Sequence, residues 1–140
     1  MDLDCVVCGD LTPLFDRPED LVLWRNPNFG LPRRAFYNTS VILHRAGTRT
    51  EFWTEFDPRT SPAKANAKFG GTDQAWVSIL ASREEAYWDA SHGVYGAGRL
   101  GDYNPDLAHT VLPDNAKIVF FPGRRHGKER EGGRQTGKAG

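Results

Sequence analysis

The N-terminus Met1-Asp2-Leu3-Asp4 places two carboxylates two residues apart at the head of an apolar run. In an extended strand that spacing turns both side chains to one face, where they can share one divalent cation. Their hard oxygens suit magnesium or manganese, and an ion so held can neutralise charge developing on a departing diphosphate. The competing explanation is a solvated terminus, since acidic pairs at this spacing are common. A second polar pair, Asp73-Gln74, follows Gly70-Gly71-Thr72 at an expected helix start. Free backbone N–H groups beside an acid and an amide suit a sugar or a phosphate, although both residues are also ordinary first-turn residues. Asn38 either binds a ligand or satisfies backbone groups at a strand end. Arg124 and Arg125, with His126, follow the last apolar run and are either a bidentate grip on phosphate oxygens or a solvated basic tail.

These groups need a frame. Leu3 to Cys8 reads as a strand buried on both faces and closed by Gly9-Asp10, with Cys5 and Cys8 as small buried hydrophobes. Leu11 to Phe15 reads as a short turn containing Pro13, and Asp20 to Arg25 as a second strand. Residues 26–34 carry two prolines and a glycine and read as a loop, after which Tyr37 to His44 is again extended. Thr50 to Phe56 puts Phe52, Trp53 and Phe56 at helical spacing. Pro58 to Gly71 reads as a long loop of the kind that serves a site, and Thr72 as the N-cap of a helix through Ala81 with Trp76, Ile79 and Leu80 as its apolar stripe. A short strand near Val94-Tyr95 and a last one over Lys117 to Phe121 complete the α/β pattern. Domain boundaries are set at 1–126, with 127–140 a disordered tail that has almost nothing to bury.

The bulk composition narrows the function classes. Lysine plus arginine equal aspartate plus glutamate at 18 each, so no overall field holds the chain on nucleic acid or an anionic membrane. No run approaches the roughly 18 apolar residues of a membrane span, and the N-terminus lacks the features of a signal peptide. The expected location is the cytoplasm. Two cysteines are too few for a disulfide framework, and a Cys-x-x-Cys pair within an apolar strand is a poor redox centre. His44, His92 and His109 show no ligand spacing. Trp24, Trp53, Trp76 and Trp88 lie in apolar patterns and read as packing residues, with one of them available to stack on a sugar.

Asp2-Leu3-Asp4-Cys5-Val6-Val7-Cys8-Gly9-Asp10-Leu11 resembles the Asp-x-Asp strand and following turn of family 8, glycogenin-like, GT-A glycosyltransferases. Tyr37-Asn38-Thr39-Ser40-Val41-Ile42-Leu43 is similar to that family's Phe-Asn-Ser-Gly-Val-Met segment, and Gly71-Thr72-Asp73-Gln74-Ala75-Trp76 to its Asp-Gln-Asp helix start. Phe120-Phe121-Pro122-Gly123-Arg124-Arg125-His126 stands where the family has His-Phe-x-Gly-x-x-Lys-Pro-Trp. The resemblance, over residues 1–128, implies metal-dependent transfer of a sugar, with retention, from a nucleotide-diphosphate sugar to an acceptor. It implies Asp2 and Asp4 as ligands of manganese or magnesium, Asn38 and Ser40 as substrate contacts, Asp73 and Gln74 as catalytic, and Arg124 and Arg125 as aids to the departing diphosphate. Two departures stand out. Phe120 replaces the histidine that completes the family's metal site, and His126-Gly127-Lys128 replaces Lys-Pro-Trp.

The same resemblance places the nucleotide-binding half upstream of Met1. It therefore implies an incomplete GT-A fold with that half absent, as a truncated or wrongly started reading frame would give, and activity that is weak or absent in the chain alone. A central sheet edge would then need a partner chain to cover it. The alternative from another class is a non-catalytic remnant or assembly partner that keeps the fold. A nucleic-acid-binding reading of the basic tail gains little, because Glu129 and Glu131 dilute its charge.

Overall fold

The computed structural model describes residues 1–26, 30–70, 73–97 and 112–121. Two three-stranded mixed sheets lie face to face, and helices cover the far side of one of them. The first sheet has the order β1-β6-β5, from Cys5–Val7 (β1), Ile118–Phe120 (β6) and Val94–Gly96 (β5), with β1 antiparallel and β5 parallel to β6. The second has the order β3-β2-β4, from Tyr37–His44 (β3), Leu21–Arg25 (β2) and Ala86–Trp88 (β4), with β3 antiparallel and β4 parallel to β2.

Strand alternation explains the layering. Val22 and Trp24 of β2 point to a core shared with Leu14, Val41, Trp88, Val94, Ile118 and Phe120. Between the sheets the Trp24 and Phe120 rings stack at 4.7 Å. Gly96 admits that indole, since a Cβ there would lie 3.1 Å from Trp24 Cη2. Leu21 and Leu23 point the other way, to a second core with Tyr37, Phe52 and Ala81 under the helices.

Those helices are Glu51–Thr54 (α2), Ser61–Phe69 (α3) and Asp73–Leu80 (α4), whereas the short Thr12–Phe15 (α1) gives Leu14 to the first core. The expected loop from Pro58 to Gly71 is thus mostly a helix. Pro62 sits in its first turn, where a proline's fixed φ and missing N–H are harmless. Alanines and lysines follow, and Gly70 ends the helix at φ 82° while its N–H donates to Asn66 O at 3.1 Å.

The N-terminal strand also departs from expectation. Residues 1–4 precede it, with a bend at Leu3-Asp4, and β1 is an edge strand with Val6 and Val7 half exposed. Cys5 is half-buried against the first core, Cys8 is exposed rather than buried, and both are free thiols. Leu11 to Phe15 closes into α1 through the Asp16 N–H to Thr12 O bond of 2.8 Å. β4 was not anticipated, because three residues after a polar stretch carry no periodicity. Trp24 and Trp88 are core residues, whereas Trp53 is 69% exposed.

Candidate functional site

The centre of the candidate site is an irregularity in β3. Leu23 pairs with Ile42, but the next residue, Trp24, pairs with Asn38, so residues 39–41 are inserted without partners on β2. Such bulges re-aim side chains and free backbone groups from the ladder. Here the Asn38 side chain fills part of the gap, its Oδ1 accepting the Ser40 N–H at 2.7 Å. That uses the carbonyl end of the amide and leaves the Nδ2 end with hydrogen-bond donors to offer.

The freed groups reach two other parts of the chain. Ser40 O accepts the Asp2 N–H at 2.8 Å, which fixes the acidic N-terminus beside the bulge. Thr39 Oγ1 donates to Asp73 Oδ2 at 2.6 Å, a short bond of the charge-assisted kind. Ser40 itself is buried at 8% exposure and is tied into this link through its backbone.

α4 is held so that its first residue meets Thr39. The hydroxyl of Ser78, at 1% exposure, accepts the N–H groups of Phe36 (3.0 Å) and Tyr37 (3.3 Å) just before the bulge. Tyr37 donates its phenol to Ser82 O at 3.0 Å and accepts the Glu85 N–H at 3.1 Å. Burial pushes the Tyr37 phenol above its ordinary pKa, which keeps it a donor. Ser78 and Thr39 were not singled out from sequence, and a serine on an otherwise apolar helix stripe was the available signal for the first.

The predicted residues therefore divide. Asp2, Asn38, Ser40 and Asp73 are joined through the bulge, and Gln74 follows Asp73 on α4 half-buried. Asp4 is exposed and anchored by its carbonyl, which accepts the Phe121 N–H at 2.8 Å. Because both acids precede β1, strand alternation does not fix their relative direction. Arg124, Arg125 and His126 lie outside the described residues, as do Thr72, Gly71, His109 and the expected tail. Phe120 is a core residue at 2% exposure stacked on Trp24, and its side chain has no atom that can ligate a metal.

Among the described residues no three His, Cys, Asp or Glu side chains form a group able to hold a metal. Asp2 and Asp4 are two exposed carboxylates whose hard oxygens are of the type magnesium and manganese take. They do not make a closed protein cage.

Ser91, His92 and Asp89 also lie together, yet they form a cap and not a hydrolytic triad. Asp89 Oδ1 accepts the Ser91 N–H at 2.9 Å, and His92 Nδ1 meets the Asp89 N–H at 3.3 Å across a single 3-10 turn, Ala90–His92. Burial opposes the Asp89 charge, but the bonds from Ser91 and His92 outweigh it and hold the carboxyl below its ordinary value. Gly93 ends the turn at φ 81°, where a Cβ would lie 2.2 Å from Asn115 O.

Fold and site together define a mixed α/β protein of two small sheets flanked by helices, with a strand bulge that bonds Asp2 through its backbone and Asp73 through its carboxylate. No family model, curated protein or solved structure matches the chain. No described helix is long and apolar enough to cross a membrane.

Proposed function

We propose that this chain is a GT-A-like glycosyltransferase that moves a sugar from a nucleotide-diphosphate donor to an acceptor. The observation that supports this best is the bulge over residues 39–41, which bonds to Asp2 on one side and to Asp73 on the other. In this reading Asp2 and Asp4 hold manganese or magnesium against the donor diphosphate. The ion supplies neutralisation of charge on the leaving group.

The chain's own residues do the positioning. The amide of Asn38 donates to a donor hydroxyl from its Nδ2 end. Asp73, with one oxygen occupied by Thr39, keeps the other to orient or deprotonate a sugar hydroxyl, and Gln74 adds an amide beside it. Arg124 and Arg125 pair with the departing diphosphate. Calorimetry of manganese with a UDP-sugar tests the reading, on the chain alone and extended through the upstream reading frame. Binding that requires metal and is lost in Asp4→Ala supports it, and no metal-dependent binding in either form overturns it.

A second reading, a non-catalytic partner with the same fold, draws on Phe120. Its ring is spent in the core at the place where the family resemblance calls for a metal-binding histidine. Tight folding and partner capture with no donor hydrolysis by the extended protein would favour it.

A further inference from the structure

The first sheet ends on β1, and the hydrogen bonds to β6 fix what its outer edge presents. Asp4 O accepts the Phe121 N–H and the Cys8 N–H donates to Lys117 O, each at 2.8 Å, while Val6 stands opposite Val119. Residues 4, 6 and 8 thus turn their backbone groups toward β6, and by antiparallel alternation Cys5 and Val7 turn theirs away from it. β1 is terminal in the strand order, and among the described residues none pairs with that outer side. Two N–H and two C=O groups therefore form a short open ladder.

Native edge strands are guarded by a charge, a proline or a bulge. Cys5-Val6-Val7 carries none of these, with Val6 51% and Val7 49% exposed. The chain limits the ladder at both ends. Before the strand it bends at Leu3-Asp4, and the Asp2 N–H bonds Ser40 O on the second sheet. After it, Gly9-Asp10 leads away into α1.

We propose that this edge of β1 pairs, antiparallel and about a two-fold axis at Val6, with the same edge of a second copy of the chain. Backbone parity and strand length select that occupant. Bonds close only where an outward-facing residue meets another outward-facing residue. With Val6 opposite the partner's Val6, Cys5 exchanges both backbone bonds with the partner's Val7, and Val7 does the same with the partner's Cys5. Every open group on both edges is then used, within the three strand residues of each chain. Sliding the register by two places Cys5 opposite the partner's Gly9, or Val7 opposite the partner's Leu3, each outside the strand. The edge is thus complementary to itself in one register, as an isologous two-fold contact requires, and no charge lies within it to oppose the pairing. The product is a continuous six-stranded sheet with β5 at either end. Three residues a side place the contact in the transient class. The pairing is independent of the glycosyltransferase reading and stands or falls apart from it.

Sedimentation velocity of the full chain under reducing conditions, over a wide range of concentration, is expected to show a reversible monomer–dimer equilibrium. Val7→Pro removes an N–H that points outward and leaves the bonds to β6 in place, so it should fold, which circular dichroism checks. It deletes two symmetry-related bonds and is expected to weaken the dimer about tenfold. Val6→Lys sets like charges on the axis and should weaken it as well without removing any backbone donor. In a Cys5→Ser, Cys8→Ser background, Val6→Cys should cross-link two chains under mild oxidation, because opposite residues of a non-hydrogen-bonded pair have Cα atoms about 4.5 Å apart, within disulfide reach. Val7→Cys in that background should cross-link far less. A chain that stays monomeric throughout the range, a dimer that neither Val7→Pro nor Val6→Lys weakens, or cross-linking that favours position 7 over position 6 overturns the proposal.

Discussion

Thr39 donates its hydroxyl to Asp73 across the junction of β3 and α4, at 2.6 Å and from a residue that β2 leaves unpaired. The strand irregularity and the carboxylate are therefore one unit. Removing the hydroxyl frees Asp73 to rotate without disturbing the core, because both partners lie toward the surface. Thr39→Val is expected to leave the melting temperature nearly unchanged and to lower metal-dependent donor turnover about tenfold. Asp73→Asn, which keeps the shape and removes the charge, should lower it at least as much. An equal turnover in both variants and the parent would separate Asp73 from the chemistry.

Ser78 bears on the same junction from inside. Its oxygen is the acceptor for the N–H groups of Phe36 and Tyr37 beneath α4. Ser78→Ala leaves those donors without that partner in a buried place, which is expected to cost about 1–3 kcal/mol in urea unfolding. A change below a few tenths would show that α4 re-seats without it.

Glycines test the packing between the sheets. Gly96→Ala drives a methyl toward Trp24 and should destabilise by about 1–3 kcal/mol. Gly93→Ala adds a left-handed φ to a clash with the Asn115 carbonyl, so it is expected to be the more damaging of the two in the same assay.

Arg49 braces the strand ends of the second sheet by bonding both Asp20 (2.8 Å) and Glu85 (2.9 Å). The Arg49 side-chain bonds hold the Asp20 carboxyl below its ordinary value. A carboxyl with a depressed folded pKa contributes stability above its unfolded value, about 3.9, and that contribution disappears as pH falls through the folded value. Thermal stability should thus fall below about pH 4. In Arg49→Met the slope of that acid limb should flatten, and an unchanged slope would assign the acid sensitivity to other carboxylates.

The longer strands were legible because their cores alternate in residue type, as Leu21 to Arg25 does between the two sides of the second sheet. The stretch from Pro58 to Gly71 reads as a loop by its Pro, Ser, Asn and paired Gly, yet Pro62 falls in the first turn of a helix and Gly70 at its end, the two places where a helix accommodates them. β4 was invisible because parallel pairing with β2 is a tertiary choice that three residues do not announce. Within the site, the sequence pointed to Asp2, Asn38 and Asp73. What joins them, an insertion of residues 39–41 relative to β2, is a property of register and is absent from any single segment. Trp53 was taken for a packing residue because helical spacing with Phe52 and Phe56 does not say which of the three faces inward.

The most direct test of the account is whether an ion at the N-terminal carboxylates is felt at the start of α4. Paramagnetic manganese, titrated with UDP into the isotope-labelled chain, broadens the amide signals of residues near it. The account predicts broadening at Leu3 and Asp4 together with Thr39, Ser40, Asp73 and Gln74, all lost when Asp2 and Asp4 are both changed to alanine. Broadening confined to the N-terminus, or spread over surface carboxylates elsewhere, would contradict it.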